Sequence, residues 1–260
     1  MNDIHTFVVC AYGESAYLED CITSLLSQTV SSKIMIATST PNAAIERLSQ
    51  KYGIPVHVNN GEAGITGDWN FGLSLCSTPF ATIAHQDDVY EPTFAERVIS
   101  KAQRFKTPLL IFTDYYEIKN NERIDTSNVL KIKRLMNAGF SLFPRSRFIR
   151  RRVLSLGNSI CCPAVTYSKE VYSEFKFDKS FRFACDWDAW ERISKSKGAF
   201  AYLSEPLMGH RIHEESETSR IMADNKRVME EYAMFRRFWP DFIAKKLSSA
   251  YTKGADNNQI

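Results

Sequence analysis

Phe80-Ala81-Thr82-Ile83-Ala84-His85-Gln86-Asp87-Asp88 is a short apolar, β-prone run that breaks abruptly into a polar cluster. It is the fourth of five such runs in the first 113 residues. Thr6 to Tyr12, Lys33 to Thr38 and Ile54 to Val58 precede it, and Leu109 to Thr113 follows it. Between them lie segments of helical character. Leu18, Ile22, Leu25 and Leu26 recur at i, i+4, i+7 and i+8, one face of a helix. Pro41-Asn42 opens a segment around Ile45 and Leu48, Trp69 to Leu75 makes a short helix, and another runs through about Phe105. Strands alternating with helices at this spacing predict a parallel sheet covered by helices on both faces. Ligands of such sheets bind beyond the carboxyl ends of the strands, which singles out Tyr12 to Glu14, Thr38 to Thr40 and Gln86 to Asp88.

The second half is less regular. Asn120-Asn121 reads as a turn, Ala164 to Tyr167 and Phe200 to Leu203 as strands, and Phe183 to Ser194 as a helix. His210 to Thr218 reads as a polar loop, and Met222 to about Ser249 as helical with a break at Pro240. No internal repeat, low-complexity segment or clear linker divides the chain.

Composition narrows the function classes. The chain has 260 residues, 44% hydrophobic and 24% charged, which excludes disordered and fibrous types. Its uninterrupted apolar runs, such as Leu109-Leu110-Ile111-Phe112, fall far short of the ~20 residues of a spanning helix. The opening Met1-Asn2-Asp3-Ile4-His5 has no signal-peptide character. Six scattered cysteines lack Cys-x-x-Cys spacing, so a reduced, cytoplasmic protein is expected. The net charge of +3 conceals an asymmetry. No acid occurs between Thr126 and Lys169, where Lys131, Lys133, Arg134, Arg145, Arg147, Arg150, Arg151, Arg152 and Lys169 gather. A positive block on an otherwise acidic body points to an anionic partner: substrate phosphates, an anionic lipid surface or nucleic acid. The Arg150 to Arg152 run lacks the interleaved aromatic platform of a single-strand nucleic-acid binder, and such runs are commonly solvated faces.

Three motifs carry chemistry. Asp87 and Asp88, adjacent at a strand end without a local cationic partner, suit a divalent cation completed by substrate phosphates. From the doublet alone, a solvated turn before Glu91-Pro92, where Asp is common, is the plainer explanation. In Asp186-Trp187-Asp188-Ala189-Trp190 the indoles fall at i, i+3, free to pack or to stack on sugar rings while Asp186 faces a cleft. An acidic first helical turn, favourable to the macrodipole, explains them as well. His210-Arg211-Ile212-His213 lacks the zinc-protease pattern, and Cys161-Cys162 reads as two small apolar side chains near a strand.

In order, these pieces resemble the family 2 glycosyltransferases. The resemblance runs through Phe7 to Tyr12, then Tyr17-Leu18-Glu19-Asp20-Cys21 with Ser24-Leu25-Leu26-Ser27-Gln28-Thr29, then Gln86-Asp87-Asp88, Cys185-Asp186-Trp187-Asp188-Ala189-Trp190 and His210-Arg211-Ile212-His213. It covers roughly residues 5 to 215. It implies an α/β GT-A-type, Rossmann-like sandwich with a mostly parallel central sheet. Residues 1–215 would form the transferase domain, 1–113 its nucleotide-sugar half and 114–215 its acceptor half, with 216–260 a helical C-terminal extension. The implied reaction is inverting transfer of a sugar from a nucleoside diphosphate donor, UDP- or dTDP-linked, to a hydroxyl of a glycan or lipid-linked saccharide. Bacterial cell-surface polysaccharide synthesis at the inner face of the plasma membrane is the implied setting, with no nucleic acid. By the resemblance, Asp88, Asp87 and His213 hold Mn²⁺ or Mg²⁺, and Asp186 is the base. Tyr12, Glu14, Thr38, Ser39, Asp68, Trp69, Asn70, Gln86, Asp87 and Arg211 bind the donor, and Trp187, Trp190 and Cys162 face the acceptor. Three positions depart from the pattern. Thr38-Ser39-Thr40 stands where an Asp usually reads the base, Asp68-Trp69-Asn70 lacks the usual Arg, and Cys185 replaces a common Glu. A nucleotidyltransferase would instead open with a Gly-rich basic loop, which Tyr12-Gly13-Glu14-Ser15 is not. A silent binding module is the remaining alternative.

Overall fold

The computed structural model describes residues 3–213 and 225–256. Its first half is β1 (His5–Cys10), α1 (Leu18–Leu26), β2 (Lys33–Thr38), α2 (Ala43–Tyr52), β3 (Val56–Val58), α3 (Ile65–Ser74), β4 (Phe80–His85), β5 (Val89–Tyr90) and α4 (Phe94–Ala102). There follow β6 (Pro108–Lys119), β7 (Glu122–Ile124), α5 (Asn128–Leu142), α6 (Arg147–Leu154), a 3₁₀ turn (Cys162–Ala164), β8 (Val165–Ser168), α7 (Lys169–Tyr172), α8 (Cys185–Ile193) and β9 (Ala199–Ile212). Two last helices, α9 (Asn225–Arg236) and α10 (Asp241–Asp256), complete the described chain.

The strands form one nine-stranded sheet in the order β3-β2-β1-β4-β8-β6-β9-β5, with β7 paired to β6. β1 lies parallel to β2 and β4, bringing Val8 opposite Met35 and Ile83. β8 enters antiparallel between β4 and β6, and β9 runs parallel to β6. β1, β2, β3, β4, β6 and β9 therefore all point the same way, and their carboxyl ends share one edge of the sheet. Period-2 alternation sorts the core into two layers. Phe7, Val9, Ile111 and Ala201 pack with α1 and α4 on one face, and Ile83, Leu110, Phe112 and Phe200 with α8 on the other. Local chemistry ends the elements. Asn42 caps α2 by accepting from the Ala44 and Ile45 amides at 3.0 Å, and Gly53 closes it in the left-handed region. Asn120 and Asn121, both at positive φ, make the tight β6–β7 turn. Gly72 lets α3 approach β1: a Cβ there would meet a Val8 methyl at 2.5 Å.

Two expectations change, and the helical C-terminal extension is seen to pack into the core. His210 to Ile212 is the end of β9, not a loop, because Met208 and Gly209 continue the ladder to Tyr115 and Tyr116 past irregularities at Thr113 and Asp114. Residues 214–218 of that expected loop lie outside the described residues. The acid-free segment, left without elements above, forms α5 and α6, begun by Ser127 and Ser146 caps. α9 and α10 share the core with α8, with Met234, Phe235 and Ala244 fully buried.

Candidate active site

The carboxyl ends of β4 and β9 build the first half of the site. Asp88 is completely buried. Its Oδ1 accepts the Arg211 amide at 2.9 Å and lies 3.2 Å from His210 Nδ1. Its Oδ2 has no hydrogen-bond partner, and neither does the buried Nε2 of His85. Donor atoms of His85, Asp87 and Asp88 all lie within 4.8 Å of one another. Burial lowers the His85 pKa, against the pull of Asp88 and Asp87 to raise it, and so favours the neutral imidazole that binds metal. Two acids, a neutral imidazole and orphaned buried atoms are a donor set that fits a divalent cation. His213 stands beside Asp87, Nε2 to Oδ2 3.1 Å, and is not in this trio. The histidine of this trio is His85. Trp69 holds that imidazole by stacking on it at 5.2 Å.

Asp186 builds the second half, in the first turn of α8. Its Oδ1 accepts the Trp187 amide at 2.6 Å and its Oδ2 the Asn158 amide at 2.7 Å. Burial pushes its pKa up to about 6, because its hydrogen-bond donors are neutral and only the more distant Lys133 charge opposes. Asp188 sits about 200° around the helix. It is fully buried and pairs with Arg192 at 2.8 Å and Arg237 at 2.6 Å. The Cys161 thiol, driven upward in pKa first by burial, is also influenced by both Asp88 and Asp186, so the two acids lie near one common residue.

Around them the β1 and β2 ends form a lip. The Gln86 side chain ties the Tyr12 backbone from both sides at 3.0 Å, leaving the Tyr12 ring exposed, and Glu14 is exposed beside it. Ser39 donates to Asp68 at 2.7 Å, and Asn59 donates to the other Asp68 oxygen at 2.8 Å. A carboxylate thus reaches the β2 end from α3.

Several expected contacts are spent elsewhere. Trp187 and Trp190 are core residues: one donates to the Leu154 carbonyl and packs on Phe235, the other stacks on Tyr167, so neither can meet an acceptor. Cys162 is buried beside them. Arg211 is engaged by the Asp87 carbonyl, Asn121, Asp20 and the face of Tyr17, which leaves no free edge for a diphosphate. Asn70 exchanges both amide groups with the Phe177 backbone, and Thr38 is buried, bonded to Thr40. Arg150 is fully buried, donating to the Ser194, Ser196 and Gly198 carbonyls at the end of α8, and Arg151 pairs with Glu191. His85 and His210 gained no role above. The signal was their place at the ends of two strands that only the folded sheet brings together.

Residues 6–175 match the family model "Glycosyl transferase family 2". The chain belongs to glycosyl transferase family 2. An uncharacterized glycosyltransferase of Haemophilus influenzae is 23% identical over 226 residues, 79% of this chain and 64% of that protein. The chain therefore spans just under two thirds of that relative's length. Among solved structures, S. aureus TarS 1-349 superposes with a TM-score of 0.64 at 11% identity, covering 94% of this chain and 69% of that one. Its complex with UDP-GlcNAc gives 0.65 at 11% identity, covering 95% and 71%. At such identity the likeness concerns the fold, which is the GT-A arrangement expected of the family.

Proposed function

We propose that the chain transfers a sugar from a nucleoside diphosphate sugar to a hydroxyl of a glycan or lipid-linked saccharide, with inversion. One observation carries this reading: a partly exposed carboxyl, Asp186, with its pKa near 6, and Asp88, whose buried oxygen has no partner, both act on the same Cys161 thiol. An acceptor hydroxyl is a weak nucleophile and needs a base whose pKa lies near the working pH. Asp186 takes its proton as the oxygen attacks the anomeric carbon, and the bond to the diphosphate breaks on the opposite side of the sugar. Asn158 and the Trp187 amide hold the carboxylate in line. His85, Asp87 and Asp88 would hold Mn²⁺ or Mg²⁺, whose contribution is to neutralise the departing diphosphate. The exposed Tyr12 ring offers the nucleobase a stacking surface, and Ser39, backed by Asp68, offers it polar contacts. UDP and dTDP donors suit that weakly discriminating edge, and the UDP-GlcNAc complex of TarS accords with it.

The acceptor side also carries a surface suited to an anionic membrane. Ile132, Leu135 and Leu142 lie within roughly 80° of one another on α5. They are exposed, as are Phe143 and Phe148. Lys131, Arg145, Arg147 and Arg152 stand exposed among them. Apolar side chains rimmed by basic ones favour in-plane, salt-sensitive contact with anionic lipid. No described helix is long and apolar enough to cross a membrane.

The test is a panel of nucleotide sugars followed by thermal shift with and without Mn²⁺. One UDP- or dTDP-sugar is expected to raise Tm only with the metal, by mass action. Guanosine donors alone doing so would overturn the base preference. Donor binding without transfer or hydrolysis would leave a binding module. Co-sedimentation with phosphatidylserine vesicles at low salt is expected to fall for Leu135→Ser with Phe148→Ser; unchanged partition removes the membrane contact.

A further inference from the structure

Lys133, in the acid-free segment, is half-buried and pairs with no acid among the described residues. Its Nζ donates to the Tyr115 hydroxyl at 3.0 Å and lies 5.2 Å from that ring's centre. Among the described residues it forms no ion pair, whereas Arg134 one position on pairs with Asp114. Its neighbours are Cys161 and Tyr251, and its charge is felt by both Asp186 and His210. Tyr115 contacts the His210 ring, which lies against Asp88, and Asn158 holds Asp186. The ammonium therefore stands between the two halves of the site with one neutral phenol as its hydrogen-bond partner.

A sheltered ammonium is unfavourable unless a counter-charge completes it, and its other two protons need acceptors. The elements around it are those of the second half: α5, β6, the segment at Cys161 and α10. Asn158, three residues before Cys161, holds Asp186, and these elements lie on the β6 side of the sheet, away from the β1 and β2 lip where the proposed donor base sits. Charge complementarity thus falls to the acceptor. Resting on the transferase reading above, we propose that Lys133 forms an anion subsite beside Asp186, taking a phosphate or carboxylate that the acceptor carries next to its reacting hydroxyl. An anion there is held by a charge-assisted hydrogen bond and places the hydroxyl against the base.

Two measurements test this on the full chain. Calorimetric titration with inorganic phosphate, without metal or donor, is expected to show binding to wild type and to Lys133→Arg. Lys133→Met should weaken it by about tenfold or more, the loss of one hydrogen bond to a charged group. Lys133→Gln replaces the Met variant if that does not fold. Transfer is then measured on three acceptors alike except for a neutral, a phosphate or a carboxylate group beside the hydroxyl. The anionic-to-neutral ratio of kcat/KM should fall about tenfold in Lys133→Met, and the better of the two anionic acceptors identifies the group. Unchanged phosphate affinity overturns the subsite. So does an unchanged ratio, which would leave Lys133 acting only on the Asp186 proton. No transfer to any acceptor sinks the transferase reading, and the phosphate titration still decides the subsite.

Discussion

The end of β4 and the start of α8 each present two carboxylates at close spacing, and the protein treats the pairs in opposite ways. On α8, Asp188 is matched by two arginines, whereas Asp186, two residues earlier, has only neutral donors. At β4, the buried acid is the one left incomplete: Asp88 keeps an unpartnered oxygen, and Asp87 is paired with His213 at the edge. Cations satisfy a carboxylate and take it out of chemistry. Neutral donors hold one in place and leave it reactive. Burial is therefore a poor guide to role here, since Asp88 and Asp188 are equally hidden and differ only in what completes them.

The sharpest way to break the comparison is Asp186→Asn. A positioned base contributes about 10²–10⁴-fold, so kcat should fall by that factor with donor affinity nearly unchanged. In wild type, kcat/KM should rise with pH through about 6, as Asp186 ionises, and then level off. A flat profile, or full turnover by Asp186→Asn, removes the assignment. Asp88→Asn probes the other pair. It keeps shape while removing charge, and should weaken metal-dependent donor binding by about 100-fold, the upper end seen even for groups that merely support metal ligands. Chelator-treated wild type should match it; equal donor affinity in all three would show that Asp88 is not completed by metal.

How far the sequence carried this contrast depends on the distance between partners. The parallel half was legible because each strand is a short apolar run closed by polar residues. Asp87, Asp88 and Asp186 stood out for the same reason, as acids at element ends. Asp188 was assigned to Arg192 because both lie on one helix face at i+4. Its second partner, Arg237, comes from the turn just after α9, 49 residues away, and no local pattern announces it. The same helix pair explains why Trp187 and Trp190 were misplaced. Their i, i+3 spacing defines a face, but whether that face meets sugar or Phe235 is decided by α9 and α10. Arg150 was illegible in a third way, because a run of arginines looks solvated until the carbonyls at the end of α8 are seen to surround one of them.

Asp188→Asn sharpens the contrast through stability. Removing the charge leaves Arg192 and Arg237 facing a neutral amide, and losing a buried partner is costly. Both arginines are about a third exposed and can turn to water, which limits the loss to about 1–3 kcal/mol. Urea unfolding should report a lower midpoint at unchanged slope, with kcat retained in the folded fraction. A variant as stable as wild type but without turnover would reverse the roles of the two acids.

The smallest effect expected is also the most diagnostic, because it runs against the usual sense of a mutation. Asp186 has a folded pKa of about 6, raised by burial from an ordinary carboxylate value of 3.8. Between those two values the folded state holds a proton that the unfolded state has released, so stability falls as pH rises through this window. Above it the ionised, poorly compensated carboxylate is a net cost to the fold. Asn cannot ionise, so Asp186→Asn should be more stable than wild type at pH 7, by on the order of 1 kcal/mol given the partial exposure of the group. The advantage should vanish as pH approaches 4, where both side chains are neutral. Asp188→Asn should show no such gain at neutral pH, since its charge is already matched. Urea midpoints of the three proteins at pH 4 and pH 7 check this, and a pH-independent difference between Asp186→Asn and wild type would mean that Asp186 is compensated like its neighbour.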